Sequence, residues 1–156
     1  MDTDYVTQKV GDLVELEPDE IALADTIGHA SPRSVEKLCR QLTTRWQNLA
    51  FAMHLHDTQA LGLTNAWAAM NEGVRIFDTS FGGLGGCPFA PGAKGNLATE
   101  DLVTLAEKGG FTTGIDLKKL FETIRNFSST LGRPLGGRTQ SWWNSQFKPG
   151  GSDGTK

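Results

Sequence analysis

Two histidines one residue apart, His54 and His56, close an apolar run that reads as a strand. Side chains at i and i+2 of a strand leave the same face, so the two imidazoles stand about one pleat repeat apart. Such a pair can share a divalent ion. With nitrogen and oxygen donors and no thiolate, that ion would be magnesium, manganese or zinc. The structural alternative is a hydrogen-bonded histidine pair at a strand end. Asp25, directly after Glu-Ile-Ala-Leu-Ala, could be a base, a metal ligand or the cap of the turn it enters, while Asp57 and Asp78 sit in Asp-Thr pairs that commonly end strands. Cys87 lies in Phe-Gly-Gly-Leu-Gly-Gly-Cys-Pro, a segment with neither the Gly-Lys-Ser/Thr ending of a nucleotide loop nor a GxGxxG fingerprint. A thiol between glycines and a proline is accessible, and suits a group that closes over a substrate and transfers a proton; a merely exposed cysteine is the alternative. Cys39 falls on an apolar helical face and reads as a small buried hydrophobe, His29 as a loop residue, and the tryptophans as packing.

These groups must be carried by elements, and the pattern supplies them. Residues 6–17 show helical spacing that stops before Pro18, and residues 20–24 form a short apolar strand ending at Asp25. Ser31-Pro32 caps and opens a helix with Val35, Leu38, Cys39 and Leu42 on one face, ending near Trp46. The alternation repeats with a strand over 49–53, an alanine-rich helix over 61–70 closed by Gly73, and a third strand over 74–77 ending at Asp78. After the glycine-rich loop, Thr99 is placed to cap a helix with Glu100 and Asp101 in its first turn, where carboxylates suit the dipole. A last helix starts at Asp116 and runs to about Leu131. From Pro134 periodicity fails, so residues 1–133 are expected to form one domain and 134–156 a flexible tail. Three strand–helix units argue for a parallel sheet of right-handed crossovers in an α/β protein. In all three the polar residues gather where strand becomes loop, the edge that holds active sites in such folds.

Composition narrows the classes. The chain has 156 residues, 38% hydrophobic and 21% charged, as a soluble globular domain does. A formal net charge of -3 lacks the basic excess that a phosphate backbone requires, so nucleic acid is not expected as a partner. No apolar stretch reaches membrane-spanning length, and the acidic first 20 residues do not read as a signal or transit peptide. Two cysteines are too few for a disulfide scaffold, which fits a reducing compartment. A cytoplasmic location is expected, with a mitochondrial one left open.

Beyond these local readings, HLHDTQALGLTNAWAAMNEGVRIFDTSFGGLGGCPFAPGAKGNLATEDL closely resembles the C-terminal part of the hydroxymethylglutaryl-CoA lyase family. Upstream DEIALADTIGHASP and downstream TGIDLKKL resemble the flanking strand and helix of that family, so the resemblance covers roughly residues 10 to 135. The cysteine loop is its most specific motif. Related Claisen-type synthases and aldolases share the HxH strand but are not expected to carry GGLGGCP followed by PGAKGN. The resemblance implies the C-terminal part of a (β/α)8 TIM barrel, cleaving 3-hydroxy-3-methylglutaryl-CoA to acetyl-CoA and acetoacetate. It implies that His54, His56 and Asn96 bind a divalent cation, Mg2+ or Mn2+, that Cys87 is the catalytic thiol, and that Asp25 lines the reaction centre.

One departure is large. A complete barrel of this kind needs roughly 250 residues, and the Asp-Arg-Glu motif that supplies an acidic metal ligand and a substrate-facing arginine in the family has no counterpart in this chain. The expectation is an incomplete barrel, about three strand–helix units plus C-terminal helices, inactive alone and associating as a homo-oligomer or with the missing N-terminal half. A non-catalytic half-barrel that binds a partner chain, and an aldolase or acyltransferase of the same superfamily, are the competing readings.

Overall fold

The computed structural model describes residues 2–86 and 95–146. Its elements alternate as α1 (Thr3–Val14), β1 (Glu20–Ala24), α2 (Pro32–Arg45), β2 (Ala50–His54), α3 (Gly62–Asn71) and β3 (Ile76–Asp78), followed by α4 (Thr99–Lys108), α5 (Leu117–Leu131) and α6 (Arg138–Gln146). The chain divides into two compact units: Met1–Thr79 with Gly85–Leu97, and Ser80–Leu84 with Ala98–Lys156. Among the described residues no helix is long and apolar enough to cross a membrane.

The first unit is built on a parallel sheet of order β1-β2-β3. Its register pairs Ile21 with Phe51, Leu23 with Met53 and Met53 with Phe77 on one face, and Ala24 with His54 and His54 with Asp78 on the other. The first face is the core face: Ile21, Phe51 and Met53 are buried, as are Val35, Leu38, Cys39 and Leu42 of α2 and Ala66, Ala69 and Met70 of α3. On the opposite face Ala22, Ala24, Ile76 and Asp78 are exposed. Among the described residues the outer edges of β1 and β3 have no neighbouring strand.

Local chemistry sets the helix ends. The carboxylate of Asp2 accepts from the amides of Asp4 and Tyr5, so α1 begins before the periodic apolar residues do. Ser31 and Ser34 form a capping box on α2 with Pro32 in its first turn, as the sequence leads one to expect. In α3 no cap comes from the residue before it; Asp57 Oδ1 instead accepts from Gly62 N at 2.9 Å. Asp57 thus serves a helix start, the structural reading of its Asp-Thr pair.

In the second unit the cap position of α4 falls on Ala98 rather than on Thr99, which is the first helical residue. The reason is tertiary: Ser80 and Ala98 form a parallel bridge, and Thr99 N donates to Ser80 O at 3.0 Å, which fixes the entry to the helix without a side-chain cap. Asp116 caps α5 through Lys119 N, and Gly132, at φ 64, ends it in the left-handed conformation. The failure of periodicity after Pro134 predicts no element there, whereas residues 138–146 form α6. Two contacts hold it. Trp143 stacks on Phe121 with ring centroids 4.4 Å apart, and Asp101 of α4 accepts from Arg138 N at 2.7 Å and Thr139 N at 2.8 Å. The adjacent carboxylate of Glu100, fully buried, accepts from Gly82 N at 2.9 Å and Gly137 N at 2.5 Å. A Cβ on Gly137 would overlap the Asp101 carboxyl group, so only glycine fits this approach.

Candidate active site

The C-terminal edge of the sheet brings together four of the residues singled out in the sequence. Asp25 follows β1 and extends its pairing, its amide donating to His54 O at 2.9 Å. His54 ends β2, and His56 comes two residues later on the same face. Their ring centroids lie 5.0 Å apart with planes inclined at 74°. Asn96 reaches the same place from the other end of the glycine-rich segment, where it forms an antiparallel bridge with His56, and Leu97 N donates to Leu55 O at 3.0 Å. That bridge spans 40 residues of chain and has no signature in local periodicity.

The two histidines differ in setting. His56 is 6% exposed, and its Nδ1 lies 3.0 Å from the backbone carbonyl of Asp25. A carbonyl can only accept, so Nδ1 carries the proton; in the neutral ring Nε2 then keeps its lone pair for an electrophile. His54 is partly exposed, with its Nδ1 3.8 Å from Asp78 Oδ2. Asp78, which the sequence reading favours as a strand-end residue, is therefore a neighbour of the site and shares its register row with His54.

Asp25 has a second occupation. Its Oδ1 accepts from His29 N at 2.9 Å and its Oδ2 from Ala30 N at 3.1 Å, so the carboxylate organises its own loop. That is the capping reading among the three the sequence left open. Each oxygen retains acceptor capacity beyond the one bond, so capping and service as a base are compatible.

Asn96 is placed against Gly85. A Cβ on Gly85, which stands at φ 90, would come within 2.9 Å of Asn96 Nδ2. The left-handed backbone favours glycine there, and a larger residue would also push the Asn96 amide aside. Cys87 lies outside the described residues.

Whether these residues suit a divalent cation can be tested on their donors. Among the described residues no three of His, Cys, Asp and Glu gather round one point. What is assembled is two imidazoles, one with its tautomer set by a backbone carbonyl, and an asparagine whose backbone is bridged to that same residue. Two nitrogens and a neutral oxygen form a set that a hard or borderline divalent ion accepts, and carbonyl-fixed imidazole is the usual second layer of such sites. The residues fit.

A residue that the sequence reading passed over also reaches this neighbourhood. Asn65 of α3 is 1% exposed, and its Nδ2 donates to Ala30 O at 2.9 Å. The only signal was an amide in the middle of an alanine-rich apolar face.

Comparison with known proteins gives a consistent result. A family model described as HMGL-like matches residues 1–126. The (R)-citramalyl-CoA lyase of Chloroflexus aurantiacus is 49% identical over 122 residues, covering 78% of this chain and 38% of that protein. A hydroxymethylglutaryl-CoA lyase of Bacillus subtilis is 41% identical over 126 residues, covering 81% of this chain and 42% of that protein. Among solved structures, an HMG-CoA lyase from Acinetobacter baumannii, in complex with coenzyme A and 3-methylmalate, superposes with a TM-score of 0.81 at 38% identity over 92% of this chain and 48% of that one. The chain thus spans about half the length of the relatives it matches.

Proposed function

Because this chain belongs to the HMGL-like family, we propose that it is the cation- and thiol-bearing part of an acyl-CoA carbon–carbon lyase, with 3-hydroxy-3-methylglutaryl-CoA as substrate and acetyl-CoA and acetoacetate as products. The observation that carries this reading is the pairing of His54 and His56 at the C-terminal sheet edge, with Asp25 hydrogen-bonded to one and Asn96 bridged to it. The coenzyme A bound to the Acinetobacter relative supports a thioester as the ligand class.

His54, His56 and Asn96 would hold the divalent cation, Mg2+ or Mn2+. When bound it would supply positive charge that favours the ionised form of the substrate's tertiary hydroxyl. The chain's own residues do the rest. Asp25 accepts the hydroxyl proton; the C2–C3 bond breaks as the carbonyl forms at C3, and the electron pair moves onto C2 and the thioester carbonyl. Cys87 then delivers a proton to C2 of the resulting enolate, giving the acetyl thioester.

A second reading concerns the substrate alone. Since the Chloroflexus relative reaches 49% identity, (R)-citramalyl-CoA is the competing thioester, and the same bond cleavage would release pyruvate in place of acetoacetate. The share of its relatives that it spans, the outer edges of β1 and β3, which have no neighbouring strand among the described residues, and the absence of Asp-Arg-Glu from residues 1–156 support reading these residues as part of a barrel. Such a part needs a second copy or a complementary N-terminal half to complete ligand set and substrate pocket. The test is product release from both thioesters with Mg2+ or Mn2+, by the chain alone and with the separately expressed N-terminal half of the Bacillus subtilis relative. No turnover alone, turnover on complementation, and its loss in Cys87→Ala are expected. Turnover that survives Cys87→Ala refutes the proton-transfer role, and stable association without turnover favours a non-catalytic binding half.

A further inference from the structure

We propose that Asn65 is a positioning residue: through the hydrogen bond of its side-chain amide to Ala30 O it holds the 25–30 loop, and through that loop the Asp25 carbonyl that orients His56. The inference rests on the reading of Asp25 and His56 as site residues.

The loop is organised from inside by Asp25. Its carboxylate takes His29 N and Ala30 N, and its backbone carbonyl takes both Gly28 N at 3.1 Å and His56 Nδ1 at 3.0 Å. The carbonyl on which the His56 ring depends is thus part of a closed turn, and its position is only as fixed as the turn. From outside, Asn65 Nδ2 grips the far end at Ala30 O. The Ala30 residue is consequently held on both sides, its amide by Asp25 Oδ2 and its carbonyl by Asn65.

The cost of this arrangement argues for its purpose. Asn65 Oδ1 is buried with no hydrogen-bond partner among the described residues. An unsatisfied buried amide oxygen disfavours folding, and an apolar side chain of similar volume would avoid that cost. Ala66 and Ala69 of the same helix are wholly buried, a setting in which leucine would avoid the orphaned oxygen. What leucine cannot do is donate to Ala30 O.

A purely structural amide and a positioning amide therefore differ in what Asn65→Leu does to the 25–30 loop and to the His56 ring. The experiment compares the whole chain with Asn65→Leu and Asn65→Ala, neither of which can donate to Ala30 O, with no metal or substrate added. Three readouts are taken: the urea unfolding midpoint, hydrogen exchange of the His29 and Ala30 amides, and the imidazole 15N spectrum of His56 at a pH where the ring is neutral. Both variants are expected to fold with a midpoint lowered by the loss of the bond to Ala30 O, with exchange at His29 and Ala30 faster by up to about tenfold, and with a His56 spectrum shifted from the Nδ1–H tautomer toward a mixture. Unchanged exchange and an unchanged His56 spectrum overturn the proposal. Failure of both variants to fold also overturns it, because the amide would then be structural. None of these readouts needs turnover, so an inactive chain bears on the proposed reaction and not on this inference.

Discussion

Replacing Glu100 by alanine removes the group that ties three separate segments of the second unit together. Its two oxygens accept from Gly82 N and Gly137 N, and the side chain is fully buried. Hydrogen bonds to a charged acceptor contribute about 1.5–3 kcal/mol each, and a buried amide left without a partner costs about 1–3 kcal/mol. Against this stands the cost of burying the carboxylate itself, which the substitution relieves. The balance for Glu100→Ala is a loss of about 3 kcal/mol, and for Glu100→Gln, which keeps one acceptor and turns a donor toward the other amide, about half of that. Urea unfolding followed by tryptophan fluorescence reads this directly, because Trp143 is stacked on Phe121 in the same unit. Glu100→Ala should lower both the midpoint and the cooperativity of that signal. A loss under about 1 kcal/mol for the alanine variant would show that water replaces the carboxylate at both amides and would refute the reasoning.

Other consequences follow from single groups. Burial, reinforced by the nearby charge of Glu72, pushes the Cys39 thiol up to about 12, so in the native chain at pH 8 it should stay unreactive toward a disulfide reagent and become reactive in urea. Gly85→Ala should displace the Asn96 amide and weaken Mn2+ binding, measured by electron paramagnetic resonance, while leaving the far-ultraviolet dichroism unchanged. The Lys119 amide that bonds to Asp116 holds this carboxyl below its ordinary range. A depressed folded value means that the cap's contribution is present above the unfolded pKa and lost as pH falls through the folded one. Dichroism at 222 nm should therefore show an acid-side loss of helix that Asp116→Asn, which caps without titrating, makes smaller.

Where the sequence was readable, one residue type in one local position carried the information. The Ser31-Pro32 pair announces α2 because the cap and the fixed proline φ act within a single turn. The apolar runs ending in Asp25, His54 and Asp78 announce strand ends because a buried parallel strand has no other place for a charge. Asn96 became visible only through resemblance, since its place is set by pairing with His56 across a loop. Helix α6 was invisible for a related reason: its anchors, the Phe121 ring and the Asp101 carboxylate, belong to other helices. Thr99 misled because a threonine before two acids is a sound local cap, and the bridge from Ser80 to Ala98 makes it unnecessary.

The sheet also implies an order of assembly. Glu20 pairs with Ala50 and Ala52 with Ile76, separations of 30 and 24 residues, and each strand meets the one just before it. Low sequence separation shortens the search for partners, and chains emerge from synthesis amino end first. Asp25 and the two histidines can therefore settle against each other while the glycine-rich segment is still being made. Asn96 arrives afterwards and docks beside His56, and Gly137 arrives last to meet Glu100. Synthesis thus delivers the groups of the candidate site in a fixed order, the imidazoles before the amide.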